Sequence, residues 1–456
     1  MSAFFNRSAD SYRDIFRASD ITTDAMKAAI NDWYELYYQK EPTEREDPCQ
    51  RIPYTIVRKL TKTTFSEYSA AAKDDFTKGI LAALDKKKNS AMQKALIGGE
   101  SRLKPVPTKT GFRFTVVDRA NILVFGRDTD GNMTDIGTSE MTVREQYYYT
   151  LLEHRTVDAG GYLTIRNYLC RSTTAGTIGQ LVPLQSIPEY ADLQDEYTFP
   201  RPVGSVGLAP LKTPIENCVD GSPDAVCVYA AASGLIHNIN INEAQLNGEF
   251  ERGESRIIVS ADMLEKKKDG RKVFHDHIFT GLDEDPETAG VTIFSPALRE
   301  QSFLARKTEY LRNVESVIGL KRGLLSEVEA AERTAKEITS SEGDYSLTIV
   351  DFQRSWEDAV KEAARLCGIL GQMYQVPGAR EIGGDDIAFD WGNGVLYDDE
   401  AAWADMKDQV ARGLLKPEIA VGWRYGMPYD TEAQRQKIRE KYMPDVLDDG
   451  EGGGMM

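Results

Sequence analysis

The chain has 456 residues, of which 41% are hydrophobic and 28% charged, and 72 acidic against 55 basic residues give it a formal net charge of −17. This is ample for a buried core in two to four domains or one large interleaved one, and the charged fraction excludes wholesale disorder. So acidic a surface repels nucleic acid on average, which argues against a tight nonspecific binder and does not exclude a protein along which DNA slides.

Cys49, Cys170, Cys218, Cys227 and Cys367 are odd in number and lack C-x-x-C spacing. They are expected to be free thiols in a reducing compartment. Met1 to Tyr12 has no apolar signal core, so secretion is not expected. The longest nearly apolar run, Ala225 to Ile236, falls short of the ~20 residues needed to span a bilayer.

Residues 9 to 94 read as helical. Met26, Ala29, Ile30, Trp33, Leu36 and Tyr37 recur at helical spacing within Ile21 to Tyr38, with Asp20 and Thr22 as candidate N-caps. Pro53 opens a second amphipathic segment, and Ala70 to Leu96 reads as further helix ending at Gly98-Gly99. From Phe112 the period changes to two. Phe112 to Val117, Asn121 to Phe125, Gln146 to Val157 and Tyr162 to Arg171 read as strands, with a turn at Asp130-Gly131. Residues 100 to 172 are therefore expected to form one antiparallel sheet.

Residues 173 to 224, punctuated by Pro200, Pro202, Pro210 and Pro214, predict extended connections. Helical patterning returns from Val226 to about Phe250. Arg256 to Val259 reads as a strand, and Glu265 to Phe274 as a hairpin with Asp269-Gly270 at its turn. A helix is expected from near Pro296 to Ile318. Gly319 and Gly323 then flank the basic pair Lys321-Arg322. Ile349, Phe352, Trp356, Val360, Ala363, Leu366, Cys367 and Leu370 stripe a helix from Tyr345 to Leu370, roughly 40 Å long. Ala359, Ala363, Ala364 and Gly368 on it are small enough for close packing between subunits. Ile387 to Trp391 reads as a strand, and Glu400 to Val410 and Thr431 to Tyr442 as helices joined through residues 413 to 426. The Gly-rich acidic tail reads as flexible.

Catalytic signatures are missing. There is no P-loop and no Gly-x-Ser-x-Gly elbow. His275 and His277 would share one face of a strand, as metal ligands do, and Asp283, Glu284, Asp285 and Glu287 follow, but a solvated acidic loop explains that run without a metal. A metal-dependent hydrolase at these residues is a rival reading; the reading adopted has no catalytic residue, metal or cofactor. Asp398, Asp399 and Glu400 suit a helix N-terminus without any chemistry. The cluster Lys266, Lys267, Lys268, Arg271 and Lys272 is either a contact for an acidic partner or a solvated turn guarded by lysines.

Arg333-Thr334-Ala335-Lys336-Glu337-Ile338 resembles the Thr-Ala-Thr-Glu-Ile-like signature of the portal proteins of long-tailed bacteriophages, with Lys336 where Thr is common. Phe250 to Val259, Phe389-Asp390-Trp391, and Arg412 to Leu415 leading to Tyr425-Gly426-Met427 are similar to other segments of that family in the same order. The resemblance implies an α+β portal fold of wing, stem, clip and crown that assembles into a ring with a central channel. The wing would be residues 1–228 and 336–397, the stem helices 229–254 and 299–320, the clip 255–298, the tunnel loop 321–335 and the crown 398–456. Lys321, Arg322, Arg333 and Lys336 would meet passing phosphates as exposed cations. The basic hairpin at 266–272 would dock partners. The implied partners are further copies in a dodecameric ring, major capsid and scaffolding proteins, a terminase motor, a head-completion adaptor and double-stranded DNA, with no membrane. The implied place is the portal vertex of a virion assembled in the host cytoplasm. Another head or minor capsid protein is the nearer rival, and it lacks the stem–clip–stem order.

Overall fold

Helix α1 (Asp10–Phe16) and helix α2 (Asp24–Tyr38) open the described chain. The computed structural model describes residues 10–38, 48–253, 256–259, 265–266, 272–273, 291–294, 297–326, 335–392 and 399–443. The Thr23 hydroxyl accepts the Met26 amide at 3.1 Å and so caps α2. The expected caps serve elsewhere. Asp20 accepts the Thr22 and Val124 amides, and Thr22 is buried. Helix α3 (Ile52–Thr64) carries Pro53 in its first turn and buries Ile56, Val57 and Leu60.

The continuous helix expected from Ala70 does not form. Strand β1 (Ser69–Ala72) is followed by α4 (Asp75–Asp85) and α5 (Lys88–Gly98). Asp74 is extended and accepts the Thr77 amide at 2.8 Å, which fixes the start of α4. The alanines before it pair with the strand at Ile387–Asp390, and that tertiary pairing overrides their helix propensity. Gly98 and Gly99 end α5 as expected. Gly99 has φ +86°, and a Cβ there would strike the Ala225 carbonyl.

The sheet expected over 100–172 is two sheets. Strands β2 (Glu100–Thr108) and β3 (Gly111–Asp118) join a later β10 in the order β10-β2-β3. Strands β4 (Ile122–Arg127), β5 (Met133–Arg144), β6 (Tyr147–Val157), β7 (Leu163–Ser172) and β8 (Gln180–Val182) make the second, with β9 (Glu196–Thr198) also on β7. Pairing is antiparallel. β10 (Ala209–Lys212) covers β2 only from Glu100 to Leu103. Pro105 and Pro107 therefore fall where β2 is an edge, and no ladder bond is lost to them. The predicted period of two holds in β4. Ile122 and Val124 pack with Met133, Ile136, Val206 and Leu208, whereas Leu123 faces Tyr12 and Phe16 of α1 with Leu152 and Cys170.

Residues Val226 to Tyr229 are buried but not helical, and α6 (Ser233–Arg252) begins later than its apolar pattern suggested. Strands β11 (Arg256–Val259) and β14 (Val291–Phe294) pair antiparallel, as do β12 (Glu265–Lys266) and β13 (Lys272–Val273). Helix α7 (Glu300–Ile318) runs antiparallel to α6. Asn242 donates to the Phe303 carbonyl at 3.1 Å, Lys307 pairs with Glu243 at 2.8 Å, and Arg299 with Glu249 at 2.9 Å. Pro296 lies outside the described residues.

Helix α8 (Ala335–Met373) has 39 residues and is about 58 Å long at ~1.5 Å per residue, because it starts ten residues before the apolar stripe. Trp356 is fully buried against Phe65 and Tyr68, with ring centroids at 5.4 and 6.4 Å. The small residues expected to serve contacts between subunits are used inside this chain. Ala359, Ala363 and Ala364 are fully buried, and a Cβ on Gly368 would come within 2.7 Å of the Arg380 carbonyl. Strand β15 (Ile387–Asp390) closes the first unit, Met1–Phe389, by pairing with β1.

The second unit is Asp390–Met456. It holds α9 (Asp399–Ala411), α10 (Pro417–Arg424) and α11 (Glu432–Tyr442). α10 was expected as a connection. Its eight residues are too few for a helical period to emerge, and it is held by burial of Glu418, Ala420 and Gly422. A Cβ on Gly422 would lie 2.7 Å from Ile438 Cδ1 and 3.0 Å from the Tyr429 ring, so glycine lets α10 approach α11 closely without displacing those side chains. No helix among the described residues is long and apolar enough to cross a membrane.

Candidate nucleic-acid interface

The expected nucleic-acid contact begins where α7 ends. Ile318 is its last residue, and Gly319 follows at φ +75°. The Leu320 amide donates to the Glu315 carbonyl at 2.8 Å, which closes the helix end. A Cβ at Gly319 would sit 2.9 Å from Thr348 Oγ1 on α8, so glycine permits both the turn and the close approach.

The side chain of Glu315 organises what comes next. It is 1% exposed. Its Oε1 accepts the Leu325 amide at 2.5 Å and the Ser326 amide at 2.9 Å. Its Oε2 accepts the Gly323 amide at 3.1 Å and the Ser326 hydroxyl at 2.8 Å. Four donors on one carboxylate replace the hydration lost on burial. The Lys59 ammonium of α3 binds the Leu324 carbonyl. The turn at 319–326 is thus clasped to α3, α7 and α8.

Lys321 and Arg322 ride on this clasped turn. Arg322 is exposed, while Lys321 is half-buried rather than exposed as expected. Neither is free of partners. Lys321 lies near Tyr345, whose hydroxyl donates to Thr63 at 3.0 Å. Burial pushes the Tyr345 pKa up, against the opposing pull of that hydrogen bond and of Lys321. Arg333 lies outside the described residues. Lys336 is in the first turn of α8, and its side chain lies outside them.

In the basic hairpin, Lys266 stands opposite Lys272 in the β12–β13 register. Lys267, Lys268 and Arg271 lie outside the described residues, as do His275, His277 and the acidic run 283–287. Among the described residues no group of three His, Cys, Asp or Glu is placed to hold a metal.

Sequence reasoning missed two buried charge clusters beneath the sheets. Arg119 is fully buried, 3.0 Å from Asp224 and 3.4 Å from Glu100, while Arg102 reaches Glu100 at 3.1 Å and Arg127 reaches Asp224 at 2.7 Å. Burial alone would raise the Glu100 pKa, but Arg102 and Arg119 outweigh it and hold it low. In the second cluster Glu153 meets Lys104 at 2.8 Å and Arg155 at 3.1 Å. Burial opposes ionisation there too, yet the two cations bring its pKa down to about 2. The only sequence signal was charged residues at inward-facing strand positions. These clusters are buried, their charges pair with one another, and they join strands and loops far apart in sequence.

No protein-family model and no curated protein matches this sequence. A solved structure, "Neck of native GTA particle computed with C12 symmetry", is similar to it with a TM-score of 0.45 and 11% identity, covering 92% of this chain and 99% of that one.

Proposed function

We propose that this chain is a portal-type subunit, a nonenzymatic ring protein through which double-stranded viral DNA is packaged and ejected. The observation that carries the reading is the order of elements. A helix (α6) leads into short paired strands, an antiparallel helix (α7) returns, a clasped turn follows, and a 39-residue helix (α8) comes next. That is the order the portal resemblance implies. In this reading α6 and α7 are the stem, 255–298 the clip, 321–335 the tunnel loop, residues 1–228 and 336–397 the wing, and 398–456 the crown.

Electrostatics supports it. Residues 377–456 hold 17 acidic and 9 basic residues, a net of −8. An acidic lining with sparse cations gives weak, fast-exchanging contacts, whereas a strongly cationic one would release many counterions and hold DNA fast. Glu315 sets where Arg322 stands, and the hairpin at 266–272 is the docking point for a packaging motor and later an adaptor. The site of action is the portal vertex of a virion.

Single-particle electron microscopy with native mass tests the reading. A ring with a duplex-wide channel and near twelve copies of the 50.9 kDa chain is expected; a strict monomer at high concentration overturns it. Arg333→Glu should reduce packaged DNA without altering the ring, and normal packaged length would remove Arg333 from the channel.

A further inference from the structure

Residues 51–119 contain 15 basic and 6 acidic residues, a net of +9. The remaining residues contain 40 and 66, a net of −26. The acidic average therefore conceals one strongly basic block, built from α3, β1, α4, α5, β2 and β3. Part of its charge is used internally. Arg102 and Arg119 lie in the buried cluster, Lys104 binds Glu153, Lys94 donates to the Val116 carbonyl, and Lys59 to that of Leu324.

The rest faces water. The side chains of Lys62, Lys73, Lys86, Lys87, Lys109 and Arg113 are exposed and make no hydrogen bond or ion pair with the described residues, and the same holds for Arg51 and Arg58 earlier in the block. The carboxylates among them are already taken. Asp74 is bound by Arg380 at 2.8 Å, Asp75 by Lys78 at 2.9 Å and Asp85 by Lys88 at 2.6 Å. The free cations are near one another. Lys86 lines a groove of about 610 Å³ beside α4, together with Asp74, Thr108 and Thr110. Lys109 stands between those threonines and Lys73 just before Asp74. The Lys88 ammonium lies over the Phe65 and Tyr68 rings at 5.8 and 5.0 Å, which brings the α4–α5 junction to the end of α3 that carries Lys62.

We propose that this face binds the phosphate backbone of duplex DNA without reading its sequence. Five of the six cations from Lys62 to Arg113 are lysines, compact point charges on flexible stems that suit a row of phosphates. A protein partner is disfavoured, because interface cores are depleted in lysine and enriched in arginine and aromatics. The acidic remainder of the chain does not prevent local binding, since charges beyond ~8 Å are screened at physiological salt.

The test measures fluorescence anisotropy of a short labelled duplex of arbitrary sequence against the full chain. With about four phosphate contacts, affinity should fall about 100-fold between 50 and 200 mM salt. The variant carrying Lys73→Glu, Lys86→Glu, Lys87→Glu and Lys109→Glu should lose that salt dependence and bind at least 100-fold more weakly at 50 mM. The control Lys416→Glu with Lys437→Glu should bind as the parent. The proposal is overturned by a parent that does not bind at 50 mM, or by a quadruple variant that binds as the parent. It is also overturned if the variant loses salt-sensitive binding of polyglutamate while keeping that of the duplex, which would assign the face to an acidic protein. Ring formation is scored by microscopy on the same preparations, so this inference and the portal reading fail separately.

Discussion

The two units handle charge in opposite ways. In the first, carboxylates and guanidiniums are drawn inside: Glu100, Arg102, Arg119, Glu153 and Arg155 are each less than 9% exposed, and they link strands distant in sequence. In the second, the partly exposed Arg439 bridges the exposed Glu432 at 2.6 Å and the one buried carboxylate described there, Glu418, at 2.7 Å, and Ile438 is the fully buried aliphatic residue of α11. A buried ion pair contributes little net stability but is costly to break, whereas a surface pair is screened by water and is cheap to lose. The first unit should therefore be sensitive to removal of single charges and the second mainly to loss of apolar volume.

The largest expected effects come from truncating the apolar anchors. Trp356→Ala should cost about 3–5 kcal/mol in the first unit, and Ile438→Ala about 2–5 kcal/mol in the second. The smaller unit has less buried area to absorb the loss, so amide protection of α10 and α11 should collapse in Ile438→Ala. Unchanged hydrogen exchange there would break the comparison. Next is Arg119→Met, which leaves Glu100 and Asp224 buried with fewer cations. It should destabilise the first unit by about 3–5 kcal/mol in urea unfolding; a cost below 1 kcal/mol would show that Arg102 and Arg127 suffice.

A pH series sharpens the contrast. The folded pKa of Glu153 is depressed to about 2 from the usual 4.5. Its contribution is therefore fully present above pH ~5 and is lost as pH falls toward 2, amounting to about 3 kcal/mol. Glu153→Gln should flatten the acid limb of the first unit's stability between pH 5 and 2, and an unchanged limb would place the acid sensitivity elsewhere. A smaller effect is expected for Arg439→Gln, a shift of a few degrees in the melting of α10–α11, because Arg439 itself is partly exposed and water can reach the pair. A drop as large as that of Ile438→Ala would mean that surface pairing, not packing, holds the second unit.

Legibility followed the range of the interactions. The stripe from Ile349 to Leu370, the alternation of β4 and the turn at Asp130-Gly131 were all readable, because each depends on neighbours a few residues away. Ala70 to Ala72 misled because alanine prefers helix until a partner strand is supplied from 387–390. The Glu315 clasp had no local signature, since its four donors are eight to eleven residues away. The basic block at 51–119 was visible to a windowed charge count but hidden by the chain average, and only the structure separates its exposed lysines from those engaged inside.

By itself, then, the sequence determined the period of most elements, the glycine turns at 98–99, 319 and 323, and the order helix, strands, helix, turn, long helix from 233 to 373. Hydrophobic periodicity and backbone sterics are local, and they are written in consecutive residues. Tertiary structure alone decided that 100–172 divides into two sheets, that the alanines of α8 pack within the chain, and that Arg119 is buried while Lys86 is not. Those outcomes depend on which distant carboxylate or strand edge arrives beside a residue, and a single charge or alanine carries no record of its partner.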